Sequence, residues 1–115
     1  MTVVVSLGLA TICFLGQCHP ALVGASTPAG QYRLQQRLVV SPGYGGDILA
    51  FKEEDAALFA IHRLWLGNPA EQRAERLASV RVARRQAVTD GCINVDEATY
   101  ASLVDCCADS TLVIE

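Results

Sequence analysis

The stretch VVVSLGLATICFLG, residues 3–16, decides how the chain is read. It has the apolar length of a signal-peptide core, and LVGA ahead of Ser26 has the look of a small-residue cleavage site. Against that, no Lys or Arg precedes Arg33, so the positive leader that export signals carry is missing. A lipoprotein reading at Leu15-Gly16-Gln17-Cys18 fails on Gln17, where a small residue is required. The run is also short for a membrane span, because extending it to Val23 takes in Gln17, His19 and Pro20. Val3, Val4, Val5, Thr11 and Ile12 are β-branched and favour extended backbone. The expectation is two buried strands, residues 2–15 and 18–26, joined at Gly16-Gln17, with no transmembrane segment.

Strand signals continue outward from there. STPAGQYRL gives a Pro28/Gly30 turn and alternation through Tyr32 and Leu34, carried on by Leu38-Val39-Val40. SPGYGGD, residues 41–47, reads as a glycine-rich loop. Residues 48–51 and 57–66 read as a hairpin turned at Glu53-Glu54-Asp55. Alternation in its second arm puts Phe59, Ile61, Arg63 and Trp65 on one face and Leu58, Ala60, His62, Leu64 and Leu66 on the other. His62 thus lies among apolar neighbours, and taken alone it reads as a core histidine with a satisfied ring.

The period then changes. Asn68-Pro69-Ala70-Glu71 is an N-cap, a proline at the first helical position and a capping-box acid, so a helix is predicted over residues 69–79. Arg73, Arg76, Arg81, Arg84 and Arg85 read as a solvated face or, alternatively, as a rim for carboxylates, with Arg84 and Arg85 the candidate ligands. A second helix is predicted from Asp96, burying Tyr100, Leu103, Val104 and Cys107, and STLVIE closes the chain as a strand.

The 115 residues fit one domain, residues 1–115, and the 51% apolar content excludes a disordered chain. A net charge of −3 argues against a nucleic-acid partner, and a monomer is expected. The five cysteines are an odd number, so at least one stays free or pairs outside the chain. Adjacent Cys106 and Cys107 are expected to be poor partners for each other. Cys13-x4-Cys18-His19 offers at most half a zinc site that adjacent Cys106 and Cys107 cannot complete from one side of a helix, so neither metal nor cofactor is expected.

Between the two helices lies VTDGCINV, residues 88–95. Its core, Thr89-Asp90-Gly91-Cys92-Ile93-Asn94, resembles the signature of the L,D-transpeptidase catalytic domain family, enzymes that cross-link bacterial cell-wall peptides. That signature is Ser or Thr, a variable residue often His, Gly, Cys, an apolar residue, then Asn or Arg. The upstream histidine of the family is matched by His62 in AIHRL, and its TP-x-G-x-aromatic turn by Thr27-Pro28-Ala29-Gly30-Gln31-Tyr32. The resemblance runs over nearly the whole chain. It implies a mostly β, sandwich- or barrel-like fold with one inserted helix and one helix after the cysteine turn. Two departures stand out: His62 and Cys92 are 92 − 62 = 30 positions apart, longer than usual, and Asp90 stands where many relatives have His.

The resemblance implies acyl transfer. Cys92 would attack the carbonyl before the terminal D-alanine of a peptidoglycan stem tetrapeptide, leaving a thioester that an amine or water resolves. A carbapenem would acylate the same sulfur, and the place of work would be the cell envelope or periplasm, although the chain shows no convincing signal peptide. A free thiol is only a few per cent thiolate at neutral pH, so an imidazole must take its proton. Only His19 and His62 can serve, and nothing sets His19 opposite Cys92, so His62 is the expected base. Gly91 and Cys92 would aim amide N–H groups at the oxyanion, while Thr89 and Asn94 would hold the turn. Asp90 is open to three roles: solvated, paired with Arg84 or Arg85, or orienting His62. The competing readings are a catalytically inactive peptidoglycan-binding module and an unrelated Cys-His peptidase or amidase.

Overall fold

The structure, a computed structural model, describes residues 1–38 and 46–115. The loop expected at 41–47 and the end of the strand expected through Val40 fall mainly outside these residues.

The described residues form two sheets. In chain order the strands are β1 (Thr2–Ser6), β2 (Thr11–Phe14), β3 (Gln17–Pro20), β4 (Gly30–Arg33), β5 (Gln35–Arg37), β6 (Ile48–Glu54), β7 (Ala57–Arg63), β8 (Ile93–Val95) and β9 (Thr111–Ile114). One sheet runs β3-β2-β1-β9-β4 and the other β5-β6-β7-β8. Alternate residues of both sheets meet between them: Val3, Val5, Ile12 and Phe14 from the first, Leu49, Phe51, Ile61, Ile93 and Val95 from the second, all buried. The mostly β, two-layer expectation holds.

The expected strand over residues 2–15 is two strands. At about 3.3 Å per residue a 14-residue strand would span about 46 Å, whereas the longest extent of the molecule is 33 Å. The chain folds back at residues 7–10, where Leu9 N–H is held by Ser6 Oγ at 3.1 Å and Ala10 takes φ 50°. The strand expected over residues 18–26 ends at Pro20. Ala21, Leu22 and Val23 then cross, buried, toward the second sheet, and Leu22 exchanges both backbone hydrogen bonds with Asn94 at 2.9 and 3.0 Å.

Cys13 and Cys18 face each other across the β2–β3 hairpin and form a disulfide. Cys106 and Cys107 are bonded to each other, contrary to expectation. They are the last two residues of the helix α3 (Glu97–Cys107), so ring closure does not interrupt a helix interior. Cys92 is the free cysteine.

Helix α3 begins as predicted, with the Asp96 carboxylate accepting from Thr99 N–H at 2.7 Å. It buries Tyr100, Leu103 and Cys107, with Val104 half-buried. The helix predicted over residues 69–79 is instead a 3-10 turn (Pro69–Glu71), a break at Gln72 in the left-handed region (φ 52°), and the short helices α1 (Arg73–Leu77) and α2 (Val82–Arg85). Asn68 caps it, accepting from Ala70 N–H, but Glu71 pairs with Arg73 rather than closing a capping box. β7 and β8 run parallel, and parallel neighbours need a crossover of a dozen or more residues; residues 64–92 are that crossover.

Helices of five and four residues cannot satisfy their own terminal carbonyls; Arg76 caps the end of α2, while Arg85 ties the crossover to the β1–β2 turn. Arg76 donates to the Arg84 carbonyl, and Arg85 donates to the carbonyls of Ala10, Ser79 and Leu9 at 3.2, 2.6 and 3.0 Å. Arg85→Met is expected to cost about 3 kcal/mol, because three acceptors lose a charged donor. A urea midpoint within error of the parent would contradict this.

Candidate active site

His62 is the penultimate residue of β7, level with Asn94 of β8 in the parallel register. Extending that register puts Cys92 beside Ala60, on the same face as Asn94 and His62. The secondary apolar cluster on that face joins Ile48, Ala50 and Ala60 to Leu58 and Cys92. The thiol lies against the β7 backbone, with the Leu58 carbonyl oxygen 3.5 Å from Sγ. His62 and Cys92 open on one cleft of about 380 Å³, which Phe59, Trp65, Arg73 and Asp90 also line. A larger, more open depression beside it, at the β6–β7 hairpin tip, carries Glu53, Glu54 and Asp55 and no nucleophile.

The cysteine turn is braced from two sides. Thr89 Oγ1 accepts from Gly91 N–H at 3.1 Å and donates to the Cys92 carbonyl. From the TPAG stretch, Thr27 Oγ1 donates to the Gly91 carbonyl at 2.9 Å and accepts from Gly24 N–H at 2.9 Å. Two glycines are obligatory here. Gly91 has φ 129°, and a Cβ on it would lie 2.5 Å from the Phe59 ring; a Cβ on Gly24 would run into the Thr89 carbonyl oxygen. Because Gly91 N–H is already bonded to Thr89, the geometry gives Gly91 to the turn rather than to an oxyanion.

His62 is 3% exposed, and both ring nitrogens have partners: Nδ1 lies 2.7 Å from the Arg63 carbonyl oxygen and Nε2 3.2 Å from Asn94 Nδ2. Burial pushes its pKa down to about 4; the Arg63 hydrogen bond opposes this and the Arg73 charge adds to it. Burial pushes the Cys92 thiol up, against a hydrogen bond from the Ala60 backbone and the charge of Arg73, and Asp90 adds to the rise. Both shifts favour the neutral forms.

Asp90 is exposed, and the nitrogen that an orienting acid would hold is taken by the Arg63 carbonyl. Arg84 and Arg85, the candidate carboxylate ligands of the alternative reading, are elsewhere: Arg84 donates to Gln72 Oε1, and Arg85 is buried among carbonyls. The arginine in the cleft is Arg73, whose spacing in the sequence does not set it apart from the other four. Its Nη1 donates to Asn94 Oδ1 at 2.8 Å, its guanidinium lies 5.3 Å from the Trp65 ring centroid, and Glu71 pairs with it. Glu71 Oε1 and Arg73 Nε face each other at 3.2 Å as an ion pair rather than an aligned hydrogen bond.

A buried imidazole and a half-buried free thiol sharing one cleft at the edge of a two-sheet β domain define the general class. More particularly, the fold is that of the L,D-transpeptidase catalytic domain. The L,D-transpeptidase of Xylanimonas cellulosilytica (residues 123-326) superposes with a TM-score of 0.63 at 16% identity, covering 99% of this chain and 59% of that one. An L,D-transpeptidase from Mycobacterium smegmatis gives 0.64 at 16% identity, covering 99% and 58%. The helical cell shape determining protein Pgp2 of Campylobacter jejuni gives 0.59 at 15% identity, covering 99% and 46%. The chain therefore spans about half to three-fifths of the length of the structures it matches. No family model matches the sequence, and no curated protein does.

Proposed function

We propose that the chain is a cysteine acyltransferase acting on peptidoglycan stem peptides in the cell envelope, with Cys92 as nucleophile and His62 as base. The observation that carries this is the shared cleft of Cys92 and His62 on an L,D-transpeptidase fold. The Thr27 and Thr89 hydroxyls, which hold the cysteine turn from opposite sides, support it.

The resting pair is a thiol and a neutral imidazole, since His62 is pushed down to about 4 and Cys92 is raised. Proton transfer before attack is therefore steeply uphill, and attack and transfer run together. The Sγ–C bond forms as the thiol proton passes to the imidazole and the carbonyl electrons move to oxygen. Collapse breaks the C–N bond, and the imidazolium returns the proton to the departing D-alanine amine. An incoming amine or water then cleaves the thioester by the reverse sequence. The Cys92 N–H is the backbone donor assigned to the oxyanion.

The test is incubation with tetrapeptide stems. Release of D-alanine, with an acyl adduct mapped to Cys92 by mass spectrometry, is the expected result, and a carbapenem should give a stoichiometric adduct on the same residue. Binding of peptidoglycan without either adduct would sink the proposal in favour of a module that only holds the wall. Asp90→Asn is expected to change the acylation rate by less than about tenfold, because an exposed charge is screened by solvent. A loss above about a hundredfold, the scale of a lost acid–base group, would give Asp90 an orienting role after all.

A further inference from the structure

Four groups form one chain of hydrogen bonds through the cleft: Arg73 Nη1 to Asn94 Oδ1, Asn94 Nδ2 to His62 Nε2, and His62 Nδ1 to the Arg63 carbonyl. Its two ends fix every proton between them. A guanidinium only donates, so the Asn94 atom facing it is oxygen and the atom facing the ring is the NH2 group. An amide NH2 only donates, so Nε2 must accept and carries the lone pair. A carbonyl only accepts, so Nδ1 carries the hydrogen. Read from either end, the chain gives the same tautomer.

We propose that Arg73, supplied by the crossover segment, is a positioning residue for the base: it fixes the Asn94 amide so that NH2 rather than oxygen faces Nε2, holding His62 with its lone pair on that nitrogen. This rests on His62 being the base. With the guanidinium engaged by Glu71 and Asn94, Arg73 is not an open receptor for a substrate carboxylate. Were the amide reversed, its oxygen would accept a proton from Nε2 and favour an imidazolium with both nitrogens protonated, a ring with no lone pair to offer the thiol. As Nε2 takes the thiol proton it ceases to accept from Asn94, and that NH2 is released at the moment negative charge forms on the substrate oxygen. The crossover that makes this chain's histidine-to-cysteine interval long thus contributes to the cleft the side chain that orients the Asn94 amide.

The test is nitrogen-15 NMR of the His62 ring, which reads the imidazole whatever the substrate. In the parent at pH 7, Nδ1 is expected in its protonated position and Nε2 in its lone-pair position; the opposite pattern overturns the proposal with no variant needed. The ionisable groups around the ring are Arg73 with Glu71 from the crossover, and Cys92 and Asp90 from the turn. Arg73→Met removes both a charge and the amide clamp, so the variant is compared in the parent and in Asn94→Leu. In the parent the His62 midpoint should rise by about one pH unit or more. In the Asn94→Leu background the rise should be smaller by at least about half a unit, since interacting residues are non-additive. Equal rises in the two backgrounds would mean that Arg73 acts by charge alone, and the proposal falls. Should the ring behave as expected while no Cys92 adduct forms, the enzymatic reading fails; Arg73 would then still orient the Asn94 amide and the ring, but not for a base.

Discussion

Replacing His62 by glutamine is expected to slow acylation of Cys92 by about 10²–10⁴-fold, the usual range for losing a general base. Cys92→Ser should abolish the thioester altogether. The loss at His62 should be large because burial holds the thiol above its ordinary value, leaving less than the few per cent thiolate of a free cysteine at neutral pH. No other imidazole can substitute, since His19 is on β3, its ring 5.1 Å from that of Phe14. Glutamine keeps an amide NH2 for the Arg63 carbonyl and is close in volume, so the variant should remain folded, which circular dichroism and a urea midpoint can check. A carbapenem adduct forming within tenfold of the parent rate would show that the thiol proton leaves by another route.

Much of the scaffold was legible because its signals are local. The β-branched run of residues 3–5, the hairpin that carries His62, the Asp96 cap and the closing strand each follow from a few neighbouring residues, although the hairpin's first strand runs on to Glu54 and its second stops at Arg63 rather than at residue 66. What failed depends on distance or on partners remote in sequence. The turn at residues 7–10 is imposed by the width of the molecule, which alternation cannot reveal. The crossover breaks at Gln72 because the chain must return to place β8 parallel to β7. Arg85 reads as a surface charge until the carbonyls of Leu9 and Ala10, some seventy-five positions away, come within reach of its guanidinium. Arg73 stood among five arginines, and only the return of Asn94 to the level of His62 singles it out. Average bridge geometry argues against a vicinal disulfide, but it does not consider a pair ending a helix.

Alkylation of Cys92 by iodoacetamide is expected to rise about tenfold per pH unit from pH 6 to beyond pH 8.5, following the thiolate fraction, with no plateau on the acid side. A cysteine paired with imidazolium would instead plateau between the two pKa values, reacting almost equally well at pH 6 and pH 8. The same shifts bear on stability. His62 is about 4 folded against 6.5 unfolded, so between those values the unfolded chain binds more protons. Stability should therefore fall as pH drops through that window, by at most about 3 kcal/mol from this group, at 1.36 kcal/mol per unit. Cys92 works in the other direction: its folded value is raised, so its contribution is full below the unfolded thiol value of about 8.5 and declines above it. Urea midpoints across pH should thus be highest between about pH 6.5 and 8.5. Asn94→Asp should overturn both behaviours, because a carboxylate would accept from Arg73 and from a protonated Nε2 together. In that variant the ring would hold its proton through neutral pH, the acid-side loss of stability would shrink, and early thiolate would appear only if the imidazolium reached Sγ. An alkylation plateau below pH 7 in the parent itself would mean that the cleft stores a charged pair, and the concerted attack inferred from two neutral groups would have to be abandoned.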